Sequence, residues 1–184
     1  MTAHPQRLPA PDVPPGRLEE LASSHGSEVS AIAVLVLQHR QEAERAALAC
    51  LLEASRQPDP AAGVAERRLD VLRIACRRAV DTARRSGAVD ALAGIPLGHP
   101  GDRLPPGAIP PAALVAAMAA LSPRARALVA LRYVLELEPE EIGHVMRQPD
   151  RRVERQLREA LERLRELLEG DEASGSIEEI GDAW

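Results

Sequence analysis

The chain contains almost no aromatic residues. Its 184 residues include no Phe, one Tyr and one Trp, and all 23 basic residues are Arg. Since a GC-rich genome produces the same arginine bias, we infer no function from it. A hydrophobic core must instead be built from Leu, Val and Ala. The length allows two small domains of roughly 60 residues, each burying about 60% of its unfolded surface.

Residue sets that suggest catalysis or metal binding are also missing. No Ser or Cys can be grouped with a base and an orienting acid on one predicted face. The histidines show no ligand spacing; they are His4, His25, His39, His99 and His144. We therefore expect a protein that is not an enzyme and needs no cofactor.

The two cysteines, Cys50 and Cys76, fall on the apolar stripes of two predicted helices. Buried free thiols are expected there rather than a disulfide or a metal pair. The first 17 residues contain five prolines and no apolar run long enough for a signal peptide or a membrane span. These features predict a cytoplasmic protein without a membrane partner. A net charge of −5 argues against a nonspecific coat for nucleic acid.

Residues 121–168 have the strongest helical periodicity in the chain. Pro123, Pro139 and Pro149 are each expected to open a helix, because proline is tolerated in the first helical turn. We expect Arg147, Gln148 and Pro149 to form a turn, and Asp150 to cap a long last helix that ends at Gly170. The pattern predicts a helix-turn-helix, whose second helix enters the major groove of DNA.

Arginines are concentrated at the start of that last helix. From residue 145 to residue 158, five arginines face two acids, a net charge of +3. The candidate DNA-binding residues are Arg151, Arg152, Arg155, Gln156 and Arg158. Arginine can donate two hydrogen bonds to a guanine or a phosphate. The alternative is a solvated helix face, in which pairs 155–159, 158–162 and 154–158 form salt bridges four residues apart.

Upstream, the composition indicates a second helical domain. Residues 86–111 are rich in Gly and Pro and read as a linker. Three amphipathic stripes in residues 28–85 predict a three-helix bundle, and the third stripe has seven arginines against three acids. The predicted fold is all-α, with two small helical domains at 28–85 and 112–169. A flexible segment at 1–27 and an acidic tail at 170–184 complete the chain, and the tail either shields a basic helix or is simply solvated.

The helix-turn-helix segment resembles region 4 of sigma factors, most closely the extracytoplasmic-function (ECF) group of the sigma-70 family. LSPRAR at 121–126, LVALRY at 128–133, EEI at 140–142 and ALERLREL at 160–167 are similar to the family's patterns. The resemblance implies binding to the minus-35 promoter element and to the flap of RNA polymerase. The positions matching the family's recognition helix are Arg151, Arg152, Glu154, Arg155 and Arg158.

Two upstream stretches are similar to sigma region 2. LRIACRRAVDTARR at 72–85 resembles the helix that holds the minus-10 element, which adds Arg73, Arg77 and Arg84 to the candidate DNA-binding residues. RQEAERAALACLLEA at 40–54 resembles the helix that docks on the polymerase clamp. The resemblance thus implies a sigma factor with a divergent region 2.

The chain departs from the family pattern in both regions. Arg147 replaces a turn glycine, Gln148 an apolar residue and Glu154 a basic one. In the region 2-like part, Asp70 and Ser55 replace aromatic residues, whose stacking on unpaired bases is worth about 1–3 kcal/mol per base. The family's acidic clamp residues are replaced in turn by Arg45, Leu48 and Ala49.

Two functions remain open. The first is a transcription initiation factor that binds promoter DNA and core RNA polymerase. The second is a degenerate sigma-like interaction module that binds polymerase or an anti-sigma factor without melting the promoter. The arginines of the predicted third helix of the bundle and the gapless downstream resemblance favour the first function, whereas the loss of aromatics and Glu154 favour the second.

Overall fold

The computed structural model describes residues 16–57, 63–86 and 111–178, with side chains described as far as Glu169. These residues form seven helices and no strand, which confirms the all-α prediction. The helices are α1 (Arg17–Leu37), α2 (Arg40–Ser55), α3 (Val64–Ser86), α4 (Pro111–Ala119), α5 (Pro123–Tyr133), α6 (Pro139–Met146) and α7 (Asp150–Glu178). None of the helices in the described ranges is both long and apolar enough to cross a membrane.

Helices α1, α2 and α3 form the predicted bundle. Each buries one stripe of small and aliphatic side chains, including Val29, Ile32, Cys50 and Leu72. The expectation of a flexible segment reaching residue 27 is wrong, because α1 already begins at Arg17. Leu21 and His25 are buried, and they continue the stripe of Val29 toward the N-terminus at four-residue spacing. The polar residues between them hid this periodicity. Residues 1–15 lie outside the described part.

Helices α4 to α7 form a second group, which we call the helix-turn-helix group. Pro123 and Pro139 open α5 and α6 as predicted. The Ser122 hydroxyl caps α5 by accepting a hydrogen bond from the backbone N–H of Ala125 at 3.2 Å. Glu138 and Glu141 form a capping box at the start of α6. Helix α4 is not among the helices that the sequence predicts in this group.

The boundaries of α7 differ from the prediction at both ends. Asp150 is the first residue of the helix and not its cap. Instead the carbonyl of Pro149 accepts hydrogen bonds from the N–H groups of Arg152 and Val153. The helix also continues past Gly170 to Glu178. A single glycine in a helix costs only about 1 kcal/mol relative to alanine, which is too little to end a long helix.

The bundle and the helix-turn-helix group pack directly against each other. One hydrophobic cluster includes Ile32 of α1 and Leu72 of α3 together with Leu128 of α5, Ile142 of α6 and Val153 of α7. A second, smaller cluster joins α4 and α5 to the middle of α7. The predicted linker joins the groups through residues 87–110, which lie outside the described part. Within the described ranges, the two groups therefore share a core.

Polar contacts also cross between the two groups. An Nη2 of Arg68 on α3 donates a hydrogen bond to the carbonyl of Leu135 at 3.5 Å. The Nε2 of His144 on α6 lies 3.8 Å from a carboxylate oxygen of Asp70 on α3. Helix α3, the most basic helix of the bundle, thus packs on α5 and α6, and α1 also packs on α5.

Candidate nucleic-acid interface

A tight turn between α6 and α7 positions the recognition helix. Arg147 ends α6 in the left-handed conformation, with φ 52° and ψ 54°. A Cβ atom added to Gly143 would lie 2.8 Å from the carbonyl oxygen of Gln148 and 2.8 Å from a carboxylate oxygen of Asp150. The missing side chain at Gly143 therefore allows the turn to fold back closely on α6. Arg147 occupies a conformation that glycine adopts without strain.

The side chain of Gln148 lies within this turn. Its amide nitrogen and oxygen are both buried, and neither has a hydrogen-bond partner in the described part of the chain. An apolar side chain would fill the same space without this cost. Two of the positions that depart from the family pattern therefore lie in this turn: Arg147 has a left-handed backbone, and Gln148 has a buried amide without a partner within the described ranges.

Helix α7 is anchored by its apolar side and directs its arginines outward. Val153, Leu157 and Ala160 are buried. The predicted residues Arg151, Arg152, Arg155 and Arg158 are all exposed. Gln156 is half-buried, and its side-chain oxygen has no partner within the described ranges. The first two turns of α7 therefore present a basic surface.

Most of these arginines are free of carboxylate partners. Of the three salt bridges expected for a merely solvated helix face, only that between Arg155 and Glu159 forms, at 3.6 Å between nitrogen and oxygen. Arg151, Arg152 and Arg158 have no ion pair with any residue that the structure describes. Glu154 is exposed among them. Three guanidinium groups thus remain available to an external anion.

The three candidate DNA-binding residues of α3 differ in whether they form ion pairs. Arg73 is paired with Asp70 of the same helix, and Arg77 with Glu53 of α2. Arg78 also binds Glu53, at 2.5 Å. Arg84 is exposed and has no ion pair within the described ranges. Only Arg84 therefore resembles the unpaired arginines of α7.

A groove of about 450 Å³ lies between α3 and the helix-turn-helix group. Its wall includes arginines from both sides, which are Arg73, Arg77, Arg84, Arg124 and Arg147, together with the acids Glu53 and Asp81. Its apolar surface comes from residues such as Ile74, Val80, Val145 and Met146. We refer to it as the basic groove.

Arg124, on the first turn of α5, lines the basic groove. Burial lowers the pKa of its guanidinium, and the positive charges of Arg152 and Arg84 lower this pKa further. Its Nε is buried and has no partner in the described part. Arg124 lines the basic groove with Arg84 of α3 and a second groove with Gln156 of α7, so it lies near both helices. In the sequence Arg124 belongs only to the LSPRAR pattern and has no predicted role, because its neighbours on α3 and α7 are distant in sequence.

The positions that depart from the clamp and melting patterns have ordinary structural surroundings. Ser55 is buried, and its hydroxyl donates a hydrogen bond to the carbonyl of Leu52 at 3.0 Å. Arg45 is exposed, and Leu48 is 56% exposed on α2. Tyr133, at the end of α5, is 55% exposed and lies far along the sequence from the region 2-like helices. None of the described residues of the bundle offers an aromatic ring for base stacking.

The two cysteines are free and buried, as predicted. Burial is the main cause that raises the pKa of Cys50, to about 12. Burial likewise raises the pKa of Cys76. The thiol of Cys50 lies 3.7 Å from the carbonyl of Val71, to which it donates a weak hydrogen bond. Both thiols are therefore parts of the core of the bundle.

Comparison with known families gives one match. Residues 117–166 match the family model of sigma-70, region 4. The matched range runs from the end of α4 into α7 and covers less than half of the chain. No curated protein matches the sequence. The match supports a relationship to the sigma-70 family through region 4, a non-enzymatic domain that generally contacts promoter DNA and RNA polymerase. It indicates a DNA-binding, sigma-factor-like role in transcription.

Proposed function

We propose that this protein is a sigma-factor-like transcription initiation protein of the ECF type, with a divergent region 2, that acts in the cytoplasm. In this proposal the start of α7 binds the minus-35 element of a promoter, and other surfaces bind core RNA polymerase. The observation behind it is the set of unpaired, exposed arginines at the start of α7, within a range that matches region 4. Arg73, Arg77 and Arg84 are proposed to contact the minus-10 element.

The geometry of α7 suits readout in the major groove. Its N-terminal residues are the ones that reach base edges in a helix-turn-helix. Arg151, Arg152 and Arg155 project there, and Arg155 is held only by one long, exposed contact to Glu159. An exposed ion pair of this kind is worth about 0–1 kcal/mol, so DNA can replace it at little cost. Glu154 repels phosphate, so we expect promoter contacts to be made on either side of it.

Binding can be tested with the full chain and duplexes selected from a randomised pool. Arg152→Ala is expected to weaken binding to the selected duplex by about 1–3 kcal/mol, because a base-reading or phosphate-binding guanidinium is lost. Fluorescence anisotropy measures the affinity. The matched control is Arg163→Ala, which removes an exposed arginine about three turns further along α7, where it pairs with Glu166 at 2.9 Å.

Salt dependence gives an independent measurement. With roughly three to five phosphate contacts, the logarithm of the binding constant should fall against the logarithm of salt concentration with a slope of about −3 to −4.5. A flat response, or equal losses for Arg152→Ala and Arg163→Ala, would remove the case for DNA binding by α7.

A second candidate function is the degenerate interaction module, which binds polymerase or an anti-sigma factor without melting the promoter. It is favoured by α3, because Arg73 and Arg77 are held in ion pairs and no aromatic side chain is present on the described bundle. Run-off transcription with purified core polymerase and a template containing the selected duplex separates the two. A transcript supports initiation, whereas polymerase binding without a transcript supports the module.

A further inference from the structure

Three unpaired arginines from three different helices meet where the two helical groups join. They are Arg84 near the end of α3, Arg124 at the start of α5 and Arg152 at the start of α7, and we call them the arginine junction. Arg84 and Arg124 line the same groove. Arg124 also lines a second groove with Gln156, one helical turn after Arg152 on α7. The charges of Arg152 and Arg84 both lower the pKa of Arg124, in agreement with this proximity. None of the three has an ion pair within the described ranges.

The acids that line the basic groove do not neutralise the arginine junction. Glu53 also lines the basic groove, but its two carboxylate oxygens are bound by Arg77 and Arg78. Asp81 lies one helical turn before Arg84 and forms no ion pair with it. Like charges held together without a counterion repel each other, so the junction is a site where an anion is stabilised. The buried, unpartnered Nε of Arg124 is a second sign of an unmet polar contact.

We propose that the arginine junction binds the phosphate backbone of the same duplex that α7 reads, so that the packed arrangement of the two helical groups is itself a DNA-binding form. The inference rests on the proposed DNA binding by α7, and it assigns Arg84, together with Arg124, to that duplex in place of a separate minus-10 element. Arg152 belongs both to the recognition helix and to the junction, which places Arg84 and Arg124 beside the DNA strand that flanks the helix. Backbone contacts of this kind set the position of a recognition helix and are independent of base sequence.

This arrangement gives α3 a role that differs from contact with a separate minus-10 element. Because α3 packs on α5 and α6 through the shared core, Arg84 reaches the duplex only while the groups remain together. The packed form should therefore bind one duplex segment through both groups. Separation of the groups should weaken binding to that segment.

The test compares two neighbouring arginines of α3 in the full-length protein. Arg84→Gln is expected to lower affinity for the selected duplex by roughly five- to twentyfold and to reduce the salt slope by about 1, with no change in sequence preference. Arg85→Gln is the matched control. Arg85 donates a hydrogen bond to the hydroxyl of Thr82 at 3.2 Å, and it does not line the basic groove. It should change affinity by less than about twofold, since only long-range charge is removed.

The outcomes separate this inference from the proposed function. If Arg84→Gln and Arg85→Gln bind the selected duplex with the same affinity while Arg152→Ala binds it more weakly, the proposal for the arginine junction is wrong. DNA binding by α7 then stands. If neither Arg84→Gln nor Arg152→Ala has an effect, both proposals fail. A competition assay, in which inorganic triphosphate competes with the duplex at constant ionic strength, tests whether the arginine junction is a site for a small anion. Loss of triphosphate binding in Arg84→Gln with unchanged DNA affinity would overturn the proposal in favour of a small anion site.

A crosslink tests whether the packed form binds DNA. Asp70→Cys combined with His144→Cys places thiols on α3 and α6, where the native side chains approach to 3.8 Å. A short bis-maleimide joins them, and the buried Cys50 and Cys76 should not compete. We expect the crosslinked protein to bind the selected duplex as tightly as the same variant before crosslinking. A large loss of affinity on crosslinking would show that DNA binds only to the separated form.

Discussion

Arg147 holds a left-handed backbone conformation at the turn before the recognition helix, with a φ of 52°. For residues other than glycine, such a conformation costs of order 1–3 kcal/mol. Arg147→Gly should therefore raise the free energy of unfolding by about 1 kcal/mol, measured by urea denaturation followed by circular dichroism.

Two controls isolate the backbone effect at this position. Arg147→Ala removes the charge and keeps the Cβ, so it should not reproduce the gain. Arg158→Gly makes the same change at an exposed arginine inside α7 and should destabilise the protein by roughly 1 kcal/mol, since glycine disfavours a helix. Equal gains for Arg147→Gly and Arg147→Ala would indicate that charge repulsion in the basic groove, rather than strain, is relieved.

Gln148 buries a side-chain amide without a partner in the described part of the chain. An unsatisfied buried polar group costs about 1–3 kcal/mol. Gln148→Leu should therefore raise the free energy of unfolding by about 1–2 kcal/mol in the same urea assay. The control is Gln41→Leu at an exposed position of α2, where a change within about 0.5 kcal/mol is expected. An unchanged or lower stability in Gln148→Leu would mean that the amide is satisfied in solution.

At the scale of helices, local sequence signals predict where a helix begins better than where it ends. Proline and a capping residue lie next to each other at the beginnings of α5 and α6, so the signal is contained in a few consecutive residues. Whether α7 ends at Gly170 depends on the balance between the cost of that glycine and a long run of helical hydrogen bonds. No short sequence signal shows the outcome of that balance, so the prediction that the helix ends at Gly170 is wrong.

The lack of a local sequence signal also explains why the bounds of α4 and of α1 differ from the prediction. Helix α4 is apolar almost throughout, so it has no amphipathic period to detect, and its burial comes from contact with α7. The first part of α1 is polar between Leu21 and Val29, and only the packing of the bundle shows that its apolar positions face inward. In both cases the deciding contacts are distant in sequence.

The candidate DNA-binding site shows most clearly that contacts between distant residues cannot be predicted from the local sequence. The arginines of α7 were predictable because they are consecutive residues of one helix. The distinction between paired Arg73 and unpaired Arg84 depends on Asp70 and on Glu53 of another helix. Arg124 becomes a candidate DNA-binding residue only because α3 and α7 pack near it in the folded protein. A site assembled from three helices cannot be read from the periodicity of any one of them.

At the scale of the whole molecule, the sharing of one core decides how the protein unfolds. Two small helical groups of this size are each marginal alone, because little surface is buried per residue. Here the buried residues of α1 and α3 form one cluster with those of α5, α6 and α7. Loss of either group would expose apolar surface on the other. We therefore expect the two groups to stabilise each other and to unfold together.

Matched substitutions in the two groups test this cooperativity. Ile32→Val on α1 and Ile142→Val on α6 each remove one methylene from a side chain that is 0% exposed, and each should cost about 0.5–1.5 kcal/mol. In differential scanning calorimetry we expect a single transition in both variants, shifted to lower temperature, with equal calorimetric and van't Hoff enthalpies. If the groups were independent, the heat absorption would divide into two transitions, and each substitution would lower only one of them. A single shared transition would mean that strengthening either group, for example by Gln148→Leu, also protects the other, and that Arg84 and Arg152 are held together by the stability of the whole molecule.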